Sequence, residues 1–111
     1  MATVSNLYID QGSDFNSIVT LTSQDGTPLE LTGYTVKSQF RKSYQSSSAT
    51  EFQVSVYSAA NGQIKISLPA SVSTTLNAGR FLYDVEITSF TGERKRVLEG
   101  IVVLTPEITR L

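Results

Sequence analysis

Apolar and polar residues alternate with a period of two along most of this chain, and that alternation limits the possible folds more than any other feature. "YTVKSQFRK" sets Tyr34, Val36, Ser38 and Phe40 against Thr35, Lys37, Gln39 and Arg41. "EFQVSVY" repeats the pattern with Phe52, Val54 and Val56, and "QIKISL" with Ile64, Ile66 and Leu68. "RFLYDVEIT" puts Phe81, Tyr83, Val85 and Ile87 on one face and Asp84 and Glu86 on the other. "FNSIVTLT" is less regular, with Phe15, Ile18 and Leu21 among small polar residues. Successive side chains of a strand point to opposite faces, so each run predicts a strand with one side in a core and one in water. Turn signals separate the runs: "QDGTP", the "TG" before Tyr34, "ANG" before Gln63 and "FTG" before Glu93. Short strands at this spacing predict an all-β domain, an antiparallel β-sandwich of about seven strands.

One segment departs from the pattern. "PASVSTTLNAG" begins at Pro69, ends at Gly79 and spaces Val72 and Leu76 four apart. That predicts one or two helical turns, a crossover between the two sheets. "YQSSSAT" is serine-rich and predicts a flexible loop joining two strands.

The closing hairpin can be read residue by residue. With Phe90-Thr91-Gly92 as a three-residue loop and Gly92 left-handed, Ser89 faces Glu93, Glu86 faces Arg96 and Val85 faces Val97. Continued regularly, this register drives Glu99 into the core beside Tyr83. A β-bulge between Leu98 and Gly100, with Gly100 as the permissive residue, brings Gly100, Val102 and Leu104 inward instead.

Length and composition bound the rest. The chain has 111 residues, enough for a single domain over residues 1–111 with one modest core. Its formal net charge of −1 argues against a general nucleic-acid binder, which needs a net basic face. Cysteine and histidine are both absent. That removes disulfides, thiolate chemistry, the commonest general base and the commonest transition-metal ligand. "MATVSNLYID" has no basic stretch leading into an apolar one, so no secretory signal is expected, and no apolar run reaches the roughly 20 residues of a membrane helix.

Few residue groups have the makings of a site. Asp10, Asp14 and Asp25 lack the spacing of a calcium loop, and neither "GxxxxGK" nor "GxGxxG" occurs. Asp84 and Glu86 share an outer strand face, but Lys37 and Arg41 on the expected neighbouring strand make a ladder of opposite charges there. The serines have no base to activate them. No catalytic residue, cofactor or metal site is expected. The basic triplet Arg94, Lys95 and Arg96 has two readings: a contact for an acidic partner, or a solvated strand end whose Arg96 pairs with Glu86. Phe90 at the turn beside it is either a satellite core residue or an interface anchor. "LYI" in the segment Val4 to Ile9, with Leu7 and Tyr8, is either this domain's own first strand or a strand that docks on a neighbour's sheet edge.

In order along the chain come "DQGSDF", "DGTPLELTGYTVKSQFRKS" and "GRFLYDVEITSFTGERKRVLEGIVVLTPEITR". These blocks, Asp10 to Phe15, Asp25 to Lys42 and Arg80 to Arg110, resemble the small immunoglobulin-like domains of tailed-bacteriophage virion proteins, among them the N-terminal domain of baseplate upper proteins. The resemblance implies an immunoglobulin-like sandwich, a place in the virion and no enzymatic role. Other virion proteins would be the partners, met in multiple copies or as a homo-oligomer on a symmetric particle, with neither nucleic acid nor membrane involved. The expected function is a non-enzymatic structural component, an adaptor in the tail, baseplate or fibre-attachment region. Phe90, Arg94, Lys95, Arg96, Leu7 and Tyr8 are its candidate contact residues. Two other functions fit the sequence: a capsid decoration protein, or a module binding host polysaccharide through Tyr8, Tyr44 and Tyr57.

Overall fold

A computed structural model describes residues 3–23 and 25–108. Gln24 and Arg110, which fall in stretches singled out above, lie outside the described residues. The protein is all-β with one short helix: β1 (Thr3–Val4), β2 (Leu7–Asp10), β3 (Phe15–Thr20), β4 (Thr35–Arg41), β5 (Thr50–Glu51), β6 (Gln53–Ser58), β7 (Gln63–Leu68), α1 (Ala70–Ser73), β8 (Gly79–Thr88) and β9 (Arg94–Thr105). A six-stranded sheet has the order β1-β9-β8-β4-β5, with β2 also on β9, and a three-stranded sheet has the order β3-β7-β6. Their inner faces share one core, the arrangement of a β-sandwich.

The expected count of about seven becomes nine among the described residues because two expected strands are each interrupted. One break lies at Phe52. Before it, β5 pairs with β4; after it, β6 pairs with β7, so the chain changes sheets at this residue. The Phe52 side chain fills the space between the layers. Its ring centroid lies 4.7 Å from Phe40, 6.3 Å from Phe15 and 6.1 Å from Tyr83, which joins β3 of the small sheet to β4 and β8 of the large one. Such pairs contribute about 0.5–1.5 kcal/mol each beyond the area they bury. The other break lies at Ser5–Asn6, between β1 and β2.

The sandwich is not wholly antiparallel. β1 and β2 both run parallel to β9, with Thr3 opposite Leu98 and Leu7 opposite Val102. The separation in sequence is the same on both sides of the break, so the chain leaves β9 and returns without losing register. At the break Ser5 N–H still donates to the Glu99 carbonyl (2.8 Å), and the Asn6 side-chain oxygen accepts from Ile101 N–H (3.1 Å). The Ser5 carbonyl turns inward over Gly100 and accepts a hydrogen bond from the Tyr83 hydroxyl. A Cβ on Gly100 would lie 2.2 Å from that carbonyl oxygen. Gly100 is therefore required by the close approach of another backbone segment.

The expected bulge exists, but one position earlier. Val85 pairs with Leu98 and Glu86 with Arg96, leaving Val97 as the extra residue, and pairing then runs regularly from Leu98 to Leu104. The expected pair of Val85 with Val97 does not form. The shift places Leu98, Val102 and Leu104 in the core and turns Glu99 outward. The hairpin itself forms as expected: Ser89 N–H donates to the Glu93 carbonyl (2.8 Å), Gly92 N–H to the Ser89 carbonyl (2.9 Å), and Gly92 has φ +94.

In β3, the least regular of the expected strands, the inward residues are Phe15, Ser17 and Val19, and Ile18 faces out, 48% exposed. The crossover from β7 to β8 carries α1 as expected. Its N-terminus takes a cap from a distant part of the chain: the Asp14 carboxylate accepts from Ala70 N–H at 2.7 Å. Buried Ser73 accepts from Gly12 N–H (3.0 Å) and donates to the Ala70 carbonyl (3.3 Å). Gln11 donates to the Leu76 carbonyl (2.8 Å) and accepts from Glu107 N–H (3.1 Å). These bonds fasten the β2–β3 turn to the crossover and to the segment after β9.

Candidate functional site

The three aspartates are held apart by separate local duties. Asp10 accepts from the Thr105 hydroxyl (2.8 Å) and Asp14 caps α1. Asp25 organises its own turn, accepting from the Ser23 hydroxyl (2.6 Å) and from the Thr27 hydroxyl (2.7 Å) and N–H (3.1 Å). These bonds, led by that from Ser23, hold its carboxyl down to about 2. Each acid serves a turn, a cap or a strand end.

The outer face of the large sheet gathers the densest set of long side chains. Lys37, Glu86 and Arg96 lie side by side across β4, β8 and β9, followed by Gln39, Asp84 and Glu99, then Arg41, Leu82 and Ile101. Asp84 and Glu99 face each other directly, a like-charge pair that is unfavourable alone. Arg96 resolves it. Its guanidinium lies 3.1 Å from Asp84 and 3.5 Å from Glu99. Arg96 does face Glu86 in register, as expected, but the ion pairs run to Asp84 and Glu99 instead. The expected opposite-charge ladder is present only where Lys37 lies across from Glu86, because Asp84 has Gln39 as its β4 neighbour. A shallow groove of about 920 Å³ runs over this face, edged by Val4, Arg41, Tyr44 and Ile101.

The candidate contact residues fall in three places. Phe90, Arg94 and Lys95 sit at the tip of the β8–β9 hairpin, with Phe90 86% exposed and both cations exposed. The Phe90 ring lies beside the Gly33 turn, where an added Cβ would be at ordinary contact distance, 3.4 Å. Neither cation forms an ion pair among the described residues. Arg96, further down β9, is engaged on the sheet face. In the N-terminal segment Leu7 is buried in this domain's own core, while Tyr8 projects from the outer face, 69% exposed. The segment Val4 to Ile9 thus belongs to this chain's own sheet, edge-on against β9.

Compared with known proteins, the chain matches no family model and no curated relative.

The three tyrosines considered for saccharide stacking do not converge. Tyr8 projects from β2 of the large sheet, Tyr44 from the β4–β5 loop beside the groove, and Tyr57 from the outer side of β6 in the small sheet. Sequence reading missed two features. The inward turn of Ser5 over Gly100 left only an unexplained glycine as its signal. A second cleft, of about 500 Å³, lies between the β4–β5 loop and the α1–β8 connection. Its signal was the "SSS" run, which reads as a plain flexible loop until the opposite wall is known.

Proposed function

We propose that this chain is an immunoglobulin-like, non-enzymatic structural component of a tailed-phage virion, joined to neighbouring proteins in the tail, baseplate or fibre-attachment region. The immunoglobulin-like reading draws support from the strand order. With β1 and β2, and β5 and β6, each taken as one interrupted strand, seven strands are distributed over two sheets. The virion reading rests on the sequence blocks that resemble phage domains.

One observation carries the contact role: an 86% exposed Phe90 stands at a hairpin tip with two cations, Arg94 and Lys95, outside any ion pair among the described residues. Fully burying such a ring is worth about 1.5–3 kcal/mol, of which little is realised at 86% exposure. An apolar pocket edged by carboxylates on a neighbour gains that burial and pairs the two cations. Repetition on a symmetric particle makes a weak contact of this kind sufficient.

Mass spectrometry of separated tails and heads tests the location. Presence in tails is the expected result, presence in heads alone moves the protein to a decoration role, and absence from both overturns the virion reading. Phe90→Ala, and Arg94→Glu combined with Lys95→Glu, should reduce incorporation into particles with unchanged thermal unfolding. Normal incorporation of both variants removes the hairpin from the contact.

A further inference from the structure

The second cleft lies at the end of the sandwich away from the hairpin. β8 begins beside it at Gly79 and runs ten residues before the hairpin turn, about 30 Å of strand. One wall is the β4–β5 loop with Ser46, Ser47 and Ser48, continued by Thr50 of β5; the other is the segment Thr75–Asn77 after α1; Phe40 and Phe81 form the floor. Two cations belong to it, Arg41 and Lys42, and no carboxylate among the described residues lines it, on a chain whose formal net charge is −1.

These two cations are fixed differently. The Arg41 guanidinium donates to the Ser46 carbonyl (2.6 Å) and to the Gln39 side-chain oxygen (3.2 Å), which ties the loop to the end of β4. The Lys42 ammonium stands 4.4 Å from the centre of the Phe81 ring, in a space that Gly79 leaves open, since a Cβ there would approach it to 2.9 Å. Lys42 has no ion-pair partner among the described residues. Around it, the side chains of Ser47, Ser48, Thr50 and Asn77 have no hydrogen-bond partner among the described residues. The cleft thus offers two held cations, of which Lys42 keeps its hydrogen-bond donors uncommitted among the described residues, a set of uncommitted hydroxyl and amide groups, and a volume within the ordinary range for small ligands.

We propose that this cleft binds an acidic saccharide unit, its anionic group on Lys42 and its hydroxyls on Ser47, Ser48, Thr50 and Asn77. Neutral sugars lack the charge-assisted contact, and a bare anion leaves the hydroxyl and amide groups unused. Carboxylate and phosphate sugars share this chemistry. The site is independent of the virion reading and is tested on the isolated chain.

Backbone-amide NMR of the labelled protein, titrated at constant ionic strength with glucuronate, glucose 6-phosphate, glucose, inorganic phosphate and N-acetylaspartate, tests it. At least one of the two acidic sugars should give saturable shifts at Ser46 to Thr50 and at Asn77, with Kd of about millimolar and at least about tenfold below that of glucose. The tighter of the two names the anion. Lys42→Ala, at an exposed position, should cost at least about tenfold in that affinity, and Ser47→Ala with Ser48→Ala a smaller factor, with the amide spectrum away from the cleft unchanged. Absence of saturable shifts at these amides, or equal affinity in Lys42→Ala, overturns the site. Inorganic phosphate or N-acetylaspartate binding as tightly as the acidic sugar overturns the saccharide assignment, leaving a plain anion or an acidic peptide.

Discussion

The two sheets are alike inside and unlike outside. Their inner faces contribute to one core, with Ile64, Ile66 and Leu68 from the small sheet and Phe40, Val85, Leu98 and Val102 from the large one all essentially buried. On its outer side the small sheet carries Asn16, Thr20, Ser55, Lys65 and Ser67, interrupted by Ile18 and Tyr57. The large sheet carries Lys37, Arg41, Asp84, Glu86, Arg96 and Glu99 around Leu82 and Ile101. The same alternation builds both, so periodicity says which side is wet but not what the wet side is for. Short polar side chains keep a face solvated at little entropic cost, whereas long charged ones must be organised by partners.

Four sets of measurements sharpen or break this contrast. The largest effects belong to the shared interior. Ile66→Ala and Ile87→Ala, one from each sheet and equal in the volume removed, should each lower the free energy of unfolding by about 3 kcal/mol in urea titrations. A large difference between them would mean that the sheets do not share their core equally. Next comes a position peculiar to the large sheet. Gly100→Ala forces the Ser5 backbone off β9 and should cost about 2–3 kcal/mol, with faster amide exchange confined to β1, β2 and the middle of β9. Retained protection there would show that the strand can shift to make room.

A smaller effect is expected at Tyr83. Tyr83→Phe leaves the Ser5 carbonyl without its donor and should cost about 1–2 kcal/mol. The hydroxyl also gives the large sheet a pH response. Burial pushes the Tyr83 pKa up to about 12. The folded protein thus holds the proton more tightly than the unfolded chain. This contribution to stability is complete below the ordinary value of 10.0 and is lost as pH rises through about 12. Stability should fall across that window in the native protein and fall less in Tyr83→Phe; equal alkaline loss in both would assign the effect elsewhere.

The smallest effects distinguish the outer faces. Arg96→Ala leaves Asp84 and Glu99 facing each other unscreened and should cost about 0.5–1 kcal/mol, shrinking as salt is added. Lys65→Ala on the small sheet, outside any ion pair among the described residues, should cost less than about 0.3 kcal/mol at any salt. Equal, salt-independent costs would erase the distinction between the two faces.

Legibility in the sequence followed the range of the interaction. β4, β6, β7 and β8 were readable because each buries alternate residues within its own few positions. The hairpin at Gly92 was readable because its turn chemistry is local. The bulge was detectable as a misfit at Glu99, but its place was not. With the extra residue at Val97, Leu98 is buried and Glu99 turns outward, where Arg96 meets it and Asp84 across two strands. The inner face of "FNSIVTLT" was not legible because it has apolar residues in both phases, and only pairing with β7 selects Phe15 and Val19 for the core. The cleft between the serine loop and the α1–β8 connection joins segments some thirty residues apart, and no local pattern links them.

By itself, then, the sequence determined that the chain forms strands, where they turn, which side of most of them is dry, and that no thiol or imidazole takes part. The tertiary structure alone decided that the first strands run parallel to the last, that the chain changes sheets at Phe52, and that Gly100 makes room for Ser5. The reason is physical. Alternation and turn preference are set by a residue and its near neighbours, whereas strand partners and close backbone approaches depend on segments up to 95 positions apart that meet only after the chain has collapsed.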